Sequence, residues 1–243
     1  MTPRLRADRL LVERGLFASR AKAQAAIAAG RVTADDVPVR RASDAIARDA
    51  VLRAEPAHPW VSRGGVKLEA ALDRFGFDPQ GRICLDVGTS TGGFTEVLIA
   101  RGARRVYAVD VGRDQLHPSL KTRPEVIAFE DTDIRNLASG RLPEPPDLVV
   151  VDVSFISLKL VLPAALALAG APAQLVALIK PQFEAGRRHL KKGIVRDAAV
   201  QAQVCDEIVE VVRALGWTVT EVIESPIAGR DGNREFLLGA IRD

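Results

Sequence analysis

From residue 83 onward, short apolar runs alternate with segments of helical periodicity. The runs fall at 83–88, 105–110, 126–129, 148–152, 175–180, 218–223 and 236–241. Runs bounded by glycine, proline or acids, and separated by helix-length stretches, predict a doubly wound α/β sheet. The last two are expected to close one edge as a hairpin.

The first 54 residues are built differently. Residues 5–14 predict an amphipathic helix, with Leu10, Leu11 and Val12 at its centre, Arg6, Arg9 and Arg14 around them, and Gly15 as its stop. Ser19 is placed to cap a second helix whose Ala23, Ala26 and Ile27 form an apolar stripe. Gly30 ends that helix before the strand-like Arg31-Val32-Thr33. Pro56 and Pro59 then suppress helix and favour an extended connector. The expected organisation is a small α+β module over 1–56, a connector over 57–66 and a large domain over 67–243.

A chain of 243 residues with 47% hydrophobic content accommodates both parts. Its net charge of +3 is unevenly spread, because residues 1–56 hold 11 Lys and Arg against 7 Asp and Glu, and the remainder 23 against 24. The excess points the small module toward a polyanion. Cys84 and Cys205 fall in a strand-like and a helical run, as core residues of a protein in a reducing cytoplasm. The first ten residues are Arg-rich and lack the apolar stretch of a secretory signal. Residues 160–179 are uncharged and long enough to span a bilayer, but Pro163, Gly170 and Pro172 divide them into a short helix, a turn and a buried strand. No membrane partner is expected. His58, His117 and His189 lack companions at ligand spacing, so no metal is expected either.

The strand ending Asp86-Val87-Gly88 leads into Thr89-Ser90-Thr91-Gly92-Gly93-Phe94 and a helix. This glycine spacing differs from both the dinucleotide and the triphosphate loops, and an acid at Asp86 would repel a pyrophosphate. A carboxylate there suits the cationic methionine end of S-adenosylmethionine, with Gly88, Ser90, Thr91, Gly92, Gly93 and Phe94 passing beneath the ligand. Asp110 ends the second strand 22 residues after Gly88, the separation that brings an acid to ribose hydroxyls. Asp133, beyond the third strand, is the candidate for the adenine amino group.

Ligands of such sheets bind beyond the carboxyl ends of the strands, where Asp152 and Lys180 stand. Asp152-Val153-Ser154-Phe155 lacks the Pro-Pro-aromatic text of enzymes that methylate exocyclic amines, and neither cysteine is placed as a nucleophile for carbon methylation. A ribose 2′-hydroxyl needs a base and charges that hold it in line, and Lys67, Asp152, Lys180 and Glu235 meet that need. Lys180 is the expected base, with Asp152 and Glu235 orienting the two ammonium groups.

These segments look like a class I S-adenosylmethionine-dependent methyltransferase, which implies a seven-stranded sheet with an antiparallel last strand. Lys67-Asp152-Lys180-Glu235 resembles the tetrad of the FtsJ-like ribose 2′-O-methyltransferases. The N-terminal text around Arg6–Leu16, Ser19–Gln24 and Gly30–Val32 resembles an RNA-binding module of small-subunit ribosomal-protein type, which makes Arg4, Arg6, Arg20 and Lys22 candidate backbone contacts. That module usually carries an Asn-Gly hairpin where this chain has Ala34-Asp35-Asp36.

With Trp60-Val61-Ser62-Arg63-Gly64-Gly65-Val66-Lys67-Leu68 and Lys180-Pro181-Gln182-Phe183-Glu184, the whole chain resembles the TlyA family. The resemblance implies rRNA (cytidine-2′-O)-methyltransferase activity in the cytoplasm, on ribosomal RNA or a ribosomal subunit and not on DNA; a monomer is the default expectation. The chain stops eight residues after Glu235, without the extension of members that modify both subunits, which implies large-subunit rRNA. His58-Pro59-Trp60-Val61, where some members have Arg-x-Trp-Val, and Gly112-Arg113-Asp114-Gln115-Leu116, in place of a commoner Gly-Tyr-Gly-Gln-Leu, are departures that bear on domain coupling and cofactor affinity. A membrane-lytic protein and an RNA-binding assembly factor with a non-catalytic domain are the competing functions.

Overall fold

The computed structural model describes residues 3–229 and 232–243, which divide into two compact units at Pro59 and Trp60.

In the first unit, β1 (Arg4–Arg6) precedes α1 (Ala7–Glu13) and α2 (Arg20–Ala28). The strands β2 (Val32–Ala34), β3 (Val37–Pro38), β4 (Ala45–Ala47) and β5 (Leu52–Ala54) follow. The helix expected from residue 5 starts instead at Ala7, because Arg4, Leu5 and Arg6 pair with Ala47, Ile46 and Ala45 of β4. Tertiary pairing overrides local propensity there. Ser19 caps α2 as expected, its hydroxyl accepting from the Lys22 amide. Ala23, Ala26 and Ile27 are buried against Leu11, Phe17 and Val32. The β2–β3 hairpin closes without Asn-Gly. Asp35 and Asp36 both take positive φ, and Asp35 Oδ1 accepts the Val51 amide at 2.8 Å, which supports the turn from outside.

The second unit opens with α3 (Gly64–Phe75), followed by β6 (Ile83–Val87), α4 (Gly93–Ala100) and β7 (Arg105–Val109). Then come α5 (Pro118–Lys121), β8 (Val126–Phe129), β9 (Leu148–Val151), α6 (Leu158–Ala167) and β10 (Ala173–Ile179). The chain finishes with α7 (Pro181–Glu184), α8 (Ala198–Ala214), β11 (Thr218–Glu224) and β12 (Phe236–Arg242). Helix α3 begins inside the stretch expected to be a connector, and Lys67 sits on it.

The seven strands run in the order β11-β12-β10-β9-β6-β7-β8. Strand β12 is antiparallel to both neighbours, and the other internal pairings are parallel. The four central strands are apolar on both faces because helices cover both. One face packs Leu85, Val87, Val149 and Val151 against α6 and α8, while the other packs Cys84, Val106 and Val150 against α3 and α4. The uncharged stretch 160–179 is the rest of α6, a turn and β10. Among the described residues, no helix is long and apolar enough to cross a membrane.

Candidate active site

Three strand ends and one helix converge on the carboxyl edge of the sheet. Asp152 follows β9, Lys180 follows β10 and caps α7, Glu235 precedes β12, and Lys67 projects from the first turns of α3. Because β12 runs antiparallel, its first residue meets the carboxyl ends of the parallel strands. The four side chains line one cavity of about 760 Å³.

Two ion pairs organise it. Lys67 Nζ donates to Glu235 in a buried pair, both side chains being under a tenth exposed. Lys180 Nζ lies 2.5 Å from Asp152 Oδ1 and 2.9 Å from Ser154 Oγ. Gln182 Nε2 approaches Glu235 Oε1 at 3.5 Å. Ser154 and Gln182 were not foreseen from the sequence, although each stands two residues beyond a tetrad member, Ser154 in the loop after β9 and Gln182 in the first turn of α7. Phe155 is 89% exposed at φ 65°, its ring 5.1 Å from that of Phe183.

A second cavity of about 520 Å³ shares Gly88, Ser90, Asp152, Ser154 and Phe155 with the first. Val109, Val153, Ile134 and Ile156 give it apolar walls, and Asp110 and Asp133 place carboxylates among them. Asp110 Oδ2 accepts the Ser90 amide and Oδ1 the Gly112 amide, both at 2.7 Å, so this acid also ties the glycine loop to the end of β7. Asp133 is held by Arg135, whose guanidinium keeps its carboxyl below the usual range. The pair of cavities has the polarity that an adenosyl group linked to a charged amino-acid tail requires.

The loop residues divide. Gly88, Ser90, Thr91, Gly93 and Phe94 line the first cavity, whereas Asp86 and Gly92 line neither. Alternation along β6 puts Asp86 on the face of Cys84, under α4, where its Oδ2 accepts from Thr95 Oγ1 at 2.6 Å. Complete burial pushes this carboxyl up to about 7. Gly92 serves packing, since a Cβ there would meet Leu120 Cδ1 at 2.3 Å. A Cβ on Gly88 would meet the Asp152 carbonyl oxygen at 2.4 Å, and one on Gly93 would meet Ser62 Oγ at 2.1 Å. Those glycines therefore let the loop touch the β9 end and the start of α3. These packing contacts add to the ligand approach and positive φ expected of the three glycines, and Gly88 and Gly92 do take positive φ.

In the first unit, Arg4 and Arg6 lie on β1 and Arg20 and Lys22 on α2. Arg6 and Arg20 both donate to the buried carboxylate of Asp8.

An antiparallel seventh strand inserted beside an otherwise parallel sheet, with a glycine loop after its central strand and acids at the next two strand ends, defines a class I methyltransferase. The model of the FtsJ-like methyltransferases matches residues 60–242. The chain belongs to that family and, within it, to the TlyA group, whose members match it almost end to end. The 16S/23S rRNA (cytidine-2′-O)-methyltransferase TlyA of Mycobacterium tuberculosis is 42% identical over 98% of this chain and 90% of its own. The 23S rRNA (cytidine-2′-O)-methyltransferase TlyA of Campylobacter jejuni is 36% identical over 76% of this chain and 72% of its own. A solved hemolysin-type structure from Streptococcus thermophilus covers 100% of this chain and 90% of its own, at 37% identity and a TM-score of 0.77.

Proposed function

We propose that this protein transfers the methyl group of S-adenosylmethionine to the ribose 2′-oxygen of a cytidine in ribosomal RNA. The observation that carries this is the pair of ion pairs, Lys67 with Glu235 and Lys180 with Asp152, facing one cavity beside a second one that Asp110 and Asp133 line. The names of the Mycobacterium and Campylobacter relatives supply cytidine, and large-subunit rRNA is the substrate common to both.

Asp110 takes the ribose hydroxyls of the cofactor, Asp133 the adenine amino group, and the backbone of Gly88, Ser90, Thr91, Gly93 and Phe94 the methionine part. When bound, S-adenosylmethionine supplies an electrophilic methyl carbon on a positively charged sulfur. Lys180 is the group placed to accept the proton of the 2′-hydroxyl as the oxygen takes up the methyl group. Asp152 and Ser154 fix the direction of its nitrogen. Lys67, fixed by Glu235, presents a second cation that aligns the hydroxyl and steadies charge developing on its oxygen. Arg4, Arg6, Arg20 and Lys22 hold the RNA backbone from the first unit. The protein works as a monomer, in the cytoplasm where ribosomes are.

The test is transfer of labelled methyl to intact ribosomes and to separated subunits, followed by nucleoside analysis. Label recovered as 2′-O-methylcytidine in large-subunit rRNA is expected. Label on a base would sink the tetrad mechanism, and no label on any substrate would return the binding and membrane-lytic functions to the front.

A further inference from the structure

Asp8 is the most thoroughly engaged carboxylate of the first unit. It stands in the first turn of α1, fully buried. Its Oδ1 accepts Arg6 Nε at 3.1 Å, and its Oδ2 accepts Arg6 Nη2 at 3.2 Å, Arg20 Nη2 at 2.7 Å, Arg20 Nε at 3.2 Å and Gln24 Nε2 at 2.8 Å. The arginines arrive from different elements, Arg6 from β1 and Arg20 from the first position of α2. Gln24 reaches Asp8 from one turn further along α2. Both arginine side chains nevertheless remain about half exposed, at 47% and 54%.

A guanidinium has five N–H groups, and each arginine gives Asp8 two of them. Three on each are left for another acceptor. Burial of a lone carboxylate is unfavourable unless it is fully partnered, so Asp8 requires both arginines in place.

We propose that Asp8 is a positioning residue, clamping Arg6 and Arg20 into a fixed two-guanidinium seat for a phosphate of the RNA backbone. The proposal rests on the assignment of the first unit as an RNA-binding module. An unrestrained arginine loses side-chain freedom each time it engages a phosphate, whereas here that freedom is already lost on folding. The clamp sacrifices charge for geometry, since one carboxylate neutralises half of the pair.

That trade gives the test its sign. Binding of the full-length protein to large-subunit rRNA is measured across a salt series for the wild type, Asp8→Asn, Arg20→Lys, Arg20→Ala and Lys22→Ala, with cofactor binding as the control for the second unit. If charge alone mattered, Asp8→Asn would bind RNA more tightly. The clamp requires weaker binding, by about fivefold to tenfold, with the salt slope shallower by about 1 as one phosphate contact is lost. Methyl transfer should show a raised KM for RNA with kcat retained. Asp8→Asn binding as tightly as wild type or tighter overturns the proposal.

Arg20→Lys keeps the charge without the fork and is expected to weaken binding about as much as Asp8→Asn. Should Asp8→Asn fail to fold, unaltered binding by Arg20→Lys overturns the clamp instead. Arg20→Ala distinguishes the two levels of the argument. If it weakens binding while Asp8→Asn and Arg20→Lys do not, the clamp alone is wrong. If neither Arg20→Ala nor Lys22→Ala has any effect, the RNA-binding role of the module falls and the clamp with it.

Discussion

Lys67 and Glu235, 168 positions apart in the chain, form a buried ion pair, whereas the Lys180–Asp152 pair in the same cavity leaves Asp152 21% exposed. Equal chemistry in unequal surroundings separates what each pair contributes to stability and to turnover.

Lys67→Ala strands the Glu235 carboxylate in a site it cannot leave, with Gln182 Nε2 3.5 Å away. Breaking a buried pair in this way typically costs about 3–5 kcal/mol. Denaturant unfolding should show that loss for Lys67→Ala and a clearly smaller one for Lys180→Ala, whose partner reaches solvent. Equal losses would mean that Glu235 finds another partner.

Lys180→Ala should retain the fold and cofactor affinity but lose turnover by about 10²–10⁴, the range of a general base. Single-turnover methyl transfer with saturating cofactor and ribosomal substrate measures it. Activity comparable to wild type would transfer the proton-accepting role elsewhere.

Asp110→Ala removes a proposed ribose contact and also the acceptor of the Ser90 and Gly112 amides. Losing charge-assisted hydrogen bonds of about 1.5–3 kcal/mol predicts roughly tenfold to hundredfold weaker cofactor binding by calorimetry. Asp110→Asn, which keeps one acceptor oxygen, should fall between. Unchanged affinity in both variants would remove Asp110 from the cofactor site.

Asp86 predicts a pH dependence of stability. Its carboxyl is raised from 3.8 to about 7 by burial, so between those values the folded protein holds a proton that the unfolded chain has released. Stability from this group is therefore full below pH 3.8 and declines as pH rises toward 7, by about 1.4 kcal/mol per unit. The stability difference between wild type and Asp86→Asn should move in that sense across pH 4–7. A flat difference would mean that Asp86 ionises inside the fold at no cost.

Much of this was legible in the sequence because periodicity reports burial. Seven apolar runs became the seven strands, and the acids and lysines at their ends became the cavity. What the sequence concealed depends on contacts between distant segments. Residues 4–6 became a strand because β4 lies beside them, and nothing local encodes β4. Lys67 looked like a pre-strand residue, since Gly64 and Gly65 disguise the start of a helix. Gly65 is there because a Cβ would lie 2.4 Å from the Trp60 ring. Asp86 looked like a ligand because it precedes a glycine loop, but strand alternation turns it toward Thr95. Arg6 and Arg20 looked independent, and only the three-dimensional arrangement joins them through Asp8.

The place of β12 between β10 and β11 carries a temporal consequence. The sheet cannot close around β10 until residues 236–242 are available, and Glu235 enters the cavity only with them. During synthesis from the amino end, the cofactor loop and Lys67 can therefore be folded while Lys67 still lacks its counter-ion. A nascent chain would have its nucleotide cleft well before its chemistry, because catalytic competence waits on the strand that brings Glu235.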